Sequence, residues 1–243
     1  MQLPDLNCDM GEGMVYDEYI MPFIHSANIA CGFHAGNGDL MARTIDLALE
    51  HNVKIGAHPS FRDRENFGRK ELRLSSDKIY ALVIEQLIRL DLIAKQRGAE
   101  LHHVKPHGAL YNMAARDEVL ASVVVTAIRD FSEALTIYGL SGSCLIKVAE
   151  KAGMKVANEV FADRSYQDDG SLTPRSLEGA LIMNEEEALH QVVQMVRKGT
   201  VITISGNEIP IVADTICLHS DNRHAVRFAR AIRRRFATEA PGP

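Results

Sequence analysis

The sequence contains no tryptophan, and its four cysteines, Cys8, Cys31, Cys144 and Cys217, form no Cys-x-x-Cys pair. Three of them sit inside apolar, strand-like runs. They read as buried free thiols of a reducing compartment, the cytoplasm, rather than as a disulfide framework or a zinc knot. No uncharged apolar stretch approaches the ~20 residues that a membrane span needs. The start, Met1-Gln2-Leu3-Pro4-Asp5, lacks the basic-then-apolar layout of a secretory leader, so none is expected. A net charge of -5 gives no basic stripe for nucleic acid. The one basic run, Arg233-Arg234-Arg235, reads as the solvated face of a last helix, where the dipole favours cations. Also missing are a Gly-x-x-x-x-Gly-Lys-[Ser/Thr] loop, a Gly-x-Gly-x-x-Gly turn and a Gly-x-Ser-x-Gly elbow. A nucleotide would find no standard cradle for its phosphates in this chain.

What is present is an alternation. Strand-like runs at 6–10, 26–32, 54–57, 101–105, 135–139, 155–161 and 214–218 are separated by helical patterns. The clearest helix is 75–98, where Ile79, Leu82, Val83, Leu87, Leu90 and Ile93 recur on one face, Ser75 or Ser76 can cap, and Gly98 stops it. The other helices fall at 39–52, 117–131, 143–152, 185–198 and 221–236. Seven strands alternating with helices predict a parallel sheet. At 200–211 two β-like runs flank Ser205-Gly206-Asn207-Glu208, which predicts a hairpin. An irregular seven-stranded parallel (β/α) barrel of the TIM-barrel type fits this better than an open sheet. No repeat or Pro/Gly/Ser linker divides the chain, so 1–243 reads as one domain, with 238–243 an unstructured tail. A chain of this length can bury roughly 70–75% of its unfolded surface, enough for a core without staples.

Ionisable residues gather where the strands end. The runs are Asn7-Cys8-Asp9-Met10-Gly11-Glu12, Asn28 to His34, Gly56-Ala57-His58-Pro59, Val104-Lys105-Pro106-His107-Gly108, Glu159 to Arg164, and Cys217-Leu218-His219-Ser220-Asp221. Polar groups at the carboxyl ends of parallel strands share one mouth, where such folds build their sites. Asp9 and Glu12 flank a tight glycine turn and can act as general base or metal ligand, or cap a backbone amide instead. His58 precedes proline in extended backbone, so its ring can leave the strand. His34 and His58 read either as site residues or as core histidines bonded to carbonyls. With Asp9 they would suit a divalent metal, though no short His-x-x-x-His spacing fixes the geometry. Lys105 ends an apolar strand and needs a charge partner. It can stabilise negative charge at a reacting carbonyl, or pair structurally with Asp9 or Glu159. Arg164 can clamp a carboxylate or phosphate. Asp221 reads equally as a helix cap. The stretch 166–172 reads as a flexible loop or lid, and the charged segment 63–69 as a cover for the mouth or a partner contact. His51, His102, His190 and His224 read as surface or structural.

In order and at length, these blocks resemble the LamB/YcsF family, that of the A subunit of prokaryotic ATP-dependent 5-oxoprolinase. The resemblance spans nearly the whole chain, with Leu6 to Glu12, Ala27 to Gly36, Gly56 to Ser60, Val104 to Asn112, Glu159 to Arg164 and Asp214 to Asp221 carrying it. Ser220 departs from an expected Gly, which makes that turn less permissive. The resemblance implies a barrel of the glycoside hydrolase/deacetylase group. It further implies opening of the 5-oxo-L-proline lactam to L-glutamate with ATP hydrolysis, beside B and C subunits. On that footing Asp9, His58, Lys105 and Glu159 are the expected catalytic residues, with Asp9 or Glu159 as base. Asn7, Glu12, Asn28, His34, His107, Asp163, Arg164, His219 and Asp221 are expected to bind substrate. A stand-alone metal-dependent amidohydrolase and a non-catalytic binding subunit remain the alternative readings.

Overall fold

The computed structural model describes residues 3–219 and 224–237. In chain order its elements are β1 (Asp5–Met10), α1 (Asp17–Ile20), a 3-10 turn (Met21–Phe23), β2 (Ser26–Ala30), α2 (Gly38–Glu50), β3 (Lys54–His58), α3 (Ser76–Gln96) and β4 (His103–Val104). There follow α4 (Gly108–Arg116), α5 (Glu118–Phe131), β5 (Thr136–Leu140), α6 (Cys144–Lys151), β6 (Lys155–Phe161), α7 (Glu185–Lys198), β7 (Thr200–Ile202), β8 (Glu208–Pro210), β9 (Thr215–His219) and α8 (His224–Ala237). Strands β1, β2, β3, β4, β5, β6 and β9 close into a barrel, every pair parallel. The 200–211 segment is the expected antiparallel hairpin, β7 with β8.

Local chemistry explains most of the boundaries. Asn37, Asp117, Ser143 and Asn184 each occupy the N-cap of a helix and accept backbone N–H bonds from its first turn. Ser75 takes the N-cap position of α3, but its side chain makes no capping bond. Strand β4 is shorter than the expected 101–105, yet the flanking His102 N and Lys105 N still donate to Ile55 O and Ala57 O. Helix α4 is an addition to the expected helices, formed by the run after Lys105-Pro106-His107. Ser220, Asp221 and the 238–243 tail lie outside the described residues, as does the side chain of His219.

The strands alternate strictly. Leu6, Cys8, Met10, Ala27, Ile29, Ile55, Ala57, Val104, Ile137, Val160, Ile216 and Leu218 face outward and pack with Met41, Ile45, Val83, Leu87, Leu90, Val124 and Ile128 of the helices. The barrel's interior is polar instead. At one level Asp5 accepts from Ser26 and Thr215 Oγ (2.7 Å each), with Tyr138 OH close by. One level up stand Asn7, Asn28, His103 and Glu159. Buried polar groups are tolerable only when bonded to each other, and here some bonds join adjacent strands while others, such as His103 Nε2 to Asn28 Oδ1 and Tyr138 OH to Asp5 Oδ2, cross the barrel. Gly56 shows how tight the fit is, because a Cβ there would overlap the His103 ring.

Candidate active site

The bonds of that inner layer converge on Lys105. Asn7 Nδ2 donates to Glu159 Oε1 (3.0 Å) and Thr215 Oγ1 (2.7 Å), and its Oδ1 accepts from Asn28 Nδ2 (2.7 Å). Asn28 Oδ1 accepts from His103 Nε2 (2.8 Å), and Asn28 Nδ2 also donates to Asp9 Oδ1 (2.8 Å). Lys105 Nζ then lies 2.8 Å from Asp9 Oδ1, 2.9 Å from Glu159 Oε1 and 3.0 Å from Cys217 Sγ. Burial works against the lysine's charge. Asp9, Cys217 and Glu159 outweigh it and hold the ammonium well above the usual lysine range. Burial pushes the Cys217 thiol up, against the pull of Lys105. That favours the thiol over the thiolate that a nucleophile needs. Burial, then Glu159, raises the Tyr111 phenol, which donates to Glu159 Oε2 at 2.7 Å.

A second cluster adjoins the first. His58 Nε2 is 3.3 Å from Asp9 Oδ2 and 2.9 Å from His107 Nδ1. His34 Nε2 lies 3.1 Å from Glu12 Oε1, and its ring stacks on that of His107 at 3.9 Å. Burial, then His58, brings His34 down to about 2. Burial, with His34 and His58, takes His107 well below the ordinary range. The charged segment folds over this cluster. Phe67, in the left-handed region at φ 55°, presents its carbonyl to His107 Nε2 at 2.9 Å and its ring edge-on to His34. Gly68 is wedged so that a Cβ would meet the Ser60 hydroxyl.

Beside the two clusters opens a cavity of about 740 Å³ bordered by Asp9, Glu12, His58, Lys105, His107 and Arg164. Arg69, Arg116, Lys147 and Arg175 add positive charge around it, and its size suits a small metabolite. The expected site residues therefore divide. Asn7, Asn28, His34, Glu159 and Asp163 do not border the cavity; four of them brace those that do. Asp163 is buried, and its carbonyl accepts from Ile182 N. Arg164 borders the cavity, but its guanidinium donates to Ala180 O (3.2 Å) and Thr173 O (2.6 Å), tying down the 173–180 segment. Burial, then Arg175, lowers it to about 10. The 166–172 stretch flanks the cavity as expected of a lid. It is fastened, however: Asp168 accepts from Thr203 and Asn207 of the β7–β8 hairpin.

Glu12, His34, His58 and His107 each offer a ligand atom within 4.8 Å of the others, a set suited to a metal ion. It differs from the expected Asp9, His34 and His58 by taking Glu12 for Asp9 and adding His107. Phe67, His103 and Tyr111 are site residues to which the sequence gives no role of their own, and Cys217 reads there only as a buried thiol at a strand end. Counting back by two from Lys105 puts His103 inside the barrel, and Tyr111 falls one helical turn after His107; Phe67 carries no such signal.

A closed parallel barrel with acid, base and lysine gathered at its strands' carboxyl ends defines an enzyme of the (β/α)-barrel class. The chain belongs to the LamB/YcsF family, whose model matches residues 4–241. It is 50% identical over 236 residues to the A subunit of 5-oxoprolinase from Geobacillus kaustophilus (strain HTA426), covering 96% of this chain and 92% of that one. To the corresponding 5-oxoprolinase chain of Tolumonas auensis it is 49% identical over 234 residues, covering 94% and 93%. The solved structure of a lactam utilization protein from Thermus thermophilus superposes with a TM-score of 0.90 at 40% identity, covering 98% of this chain and 97% of that one. No helix among the described residues is long and apolar enough to cross a membrane.

Proposed function

We propose that this chain is the lactam-opening subunit of a cytoplasmic, ATP-dependent 5-oxoprolinase, acting with B and C subunits to convert 5-oxo-L-proline to L-glutamate. The observation that carries the reading is Asp9. One carboxylate oxygen is held by Lys105 and Asn28, and the other faces His58 at the cavity. That is a fixed base beside a fixed cation, with room for a small cyclic amide.

An unstrained lactam resists water because its amide resonance must be broken. Transfer of a phosphoryl group from ATP to the carbonyl oxygen makes the carbon electrophilic. With no phosphate-binding loop here, that transfer is assigned to the partner subunits. On this chain Asp9 takes a proton as water adds to the carbon. The ring C–N bond then breaks as the nitrogen is protonated, and a second water releases phosphate from the acyl phosphate, leaving glutamate. Lys105 faces the oxygen that gathers negative charge, and His107 lines the cavity next to His58. Glu159 does not border the cavity, so its task is to hold Lys105 and Tyr111 rather than to be the base. The basic border of Arg69, Arg116, Lys147 and Arg175 suits the substrate's carboxylate and phosphoryl group.

The test is release of glutamate and phosphate from 5-oxoproline and ATP, with and without the partner subunits. Coupled release in the full mixture is expected. Its absence, or near-normal glutamate release by Lys105→Ala, would overturn the reading or remove Lys105 from it.

A further inference from the structure

We propose that Glu12, His58 and His107 form a site for one divalent metal ion beside Asp9, with His34 holding the Glu12 carboxylate in place. The proposal goes beyond the lactam reading and does not depend on it.

Two rings have their protons fixed by backbone carbonyls. His58 Nδ1 is 2.7 Å from Lys105 O. A carbonyl only accepts, so Nδ1 carries the hydrogen and Nε2 is the one ring position left for a lone pair. His107 Nε2 is 2.9 Å from Phe67 O, so by the same logic Nδ1 is the position left on His107. These two nitrogens face each other at 2.9 Å. Two acceptors held that close repel unless something positive lies between them or beside them. Glu12 Oε1 is 3.5 Å from His107 Nδ1 and 4.0 Å from His58 Nε2. A single proton would serve one pair of these atoms; a metal ion serves all three.

The spacing fits. With metal–nitrogen bonds of about 2.0–2.1 Å, two ligands of a tetrahedral ion stand about 3.4 Å apart, and adjacent ligands of an octahedral ion about 3 Å. The observed 2.9 to 4.0 Å brackets both. The surroundings fit as well. Metal-bound histidines characteristically donate their second ring N–H to a carbonyl, which fixes tautomer and orientation, and both rings do so here. His34 is a different case. Its ring is parallel to that of His107, within 7° at 3.9 Å, so their in-plane lone pairs cannot meet at one point. Its Nε2 instead reaches Glu12 Oε1, while its buried Nδ1 has no hydrogen-bond partner. Three protein ligands leave positions open toward the cavity, as in catalytic rather than structural sites. An ion there would supply Lewis acidity to a bound oxygen next to Asp9.

The experiment strips the full-length chain with chelator and titrates it with Co²⁺, reading the visible d–d absorption, with Zn²⁺ competition as a second arm. One Co²⁺ per chain, displaced by Zn²⁺, is expected. His58→Ala and His107→Ala should abolish the bands, and His34→Ala should weaken binding by ~10- to 100-fold, the range for partners of metal ligands. Circular dichroism checks that each variant is folded; Glu12→Gln is the substitute if an alanine variant is not. Absence of saturable binding by the unmutated chain overturns the proposal, as does unchanged binding in a folded His107→Ala. So does a ¹⁵N spectrum of the stripped chain, unchanged by added Zn²⁺, in which His58 is doubly protonated. These readouts use the chain alone, with no 5-oxoproline, ATP or partner subunit, so failure here is separable from failure of the lactam reading, which glutamate release by the unmutated complex decides.

Discussion

Lys105 Nζ rests 2.8 Å from Asp9 Oδ1, reaching across the barrel from the end of β4 to the end of β1. The pair is buried, so its worth lies less in attraction than in what happens when one member goes. Lys105→Met should leave Asp9, at the cavity's edge, and the fully buried Glu159 without their shared ammonium. A loss of about 3–5 kcal/mol in unfolding free energy is expected, measured by urea denaturation. Glutamate release in the reconstituted enzyme should fall with it.

Asp9 and Glu159 share that lysine but differ in access, and the difference separates their roles. Asp9→Asn should lower kcat by ~10²- to 10⁴-fold, the range for a general base, with little change in KM. Glu159→Gln, which keeps the shape and one acceptor, should cost much less turnover and show itself mainly in stability. Equal kcat losses for the two would reverse the assignment of the base.

Gly56 exists to make room. Gly56→Ala should push the His103 ring off β3 and destabilise the fold by about 1–3 kcal/mol, as overpacking does. The melting temperature reads the loss, and a variant as stable as the parent would deny the contact.

His103 also predicts a pH dependence. Burial, with His102 and Lys105 as neighbours, holds its folded-state ionisation well below the ordinary 6.5. The folded chain therefore binds fewer protons than the unfolded chain below about pH 6.5. The stability that comes from keeping this ring neutral is complete above that pH and is lost as pH falls toward the folded value. The expected slope is up to about 1.4 kcal/mol per pH unit between pH 6 and 5. Urea midpoints across that range should fall less steeply for His103→Gln than for the parent.

Much of this is legible in the residues. Alternating strand and helix patterns mark seven strands and the hairpin, and polar residues at the strand ends mark the mouth. What the pattern does not rank is depth. Asp9 and Glu159 look alike in sequence, yet Asp9 borders the cavity and Glu159 does not, because the register of β6 against β9 sets Glu159 opposite Thr215, one level further in. Arg164 has the look of a substrate clamp, but two backbone carbonyls from the 173–180 segment claim it, and no local signal announces such long-range bonds. Helix α4 is hidden because its opening, Pro106-His107-Gly108, carries turn residues. Phe67 contributes a carbonyl, and any residue type has one.

Closure by β9 has a consequence for synthesis. Asn7 reaches Thr215 across 208 residues of chain, and Lys105 meets the Cys217 thiol only after β9 has emerged. At ribosomal speeds of ~5–20 residues per second, the earliest strand waits roughly 10–40 s for its final neighbour. Through that interval the charged lining has no closed wall around it, so a growing polypeptide depends on solvent, or on a chaperone, to shield groups that the finished barrel seals.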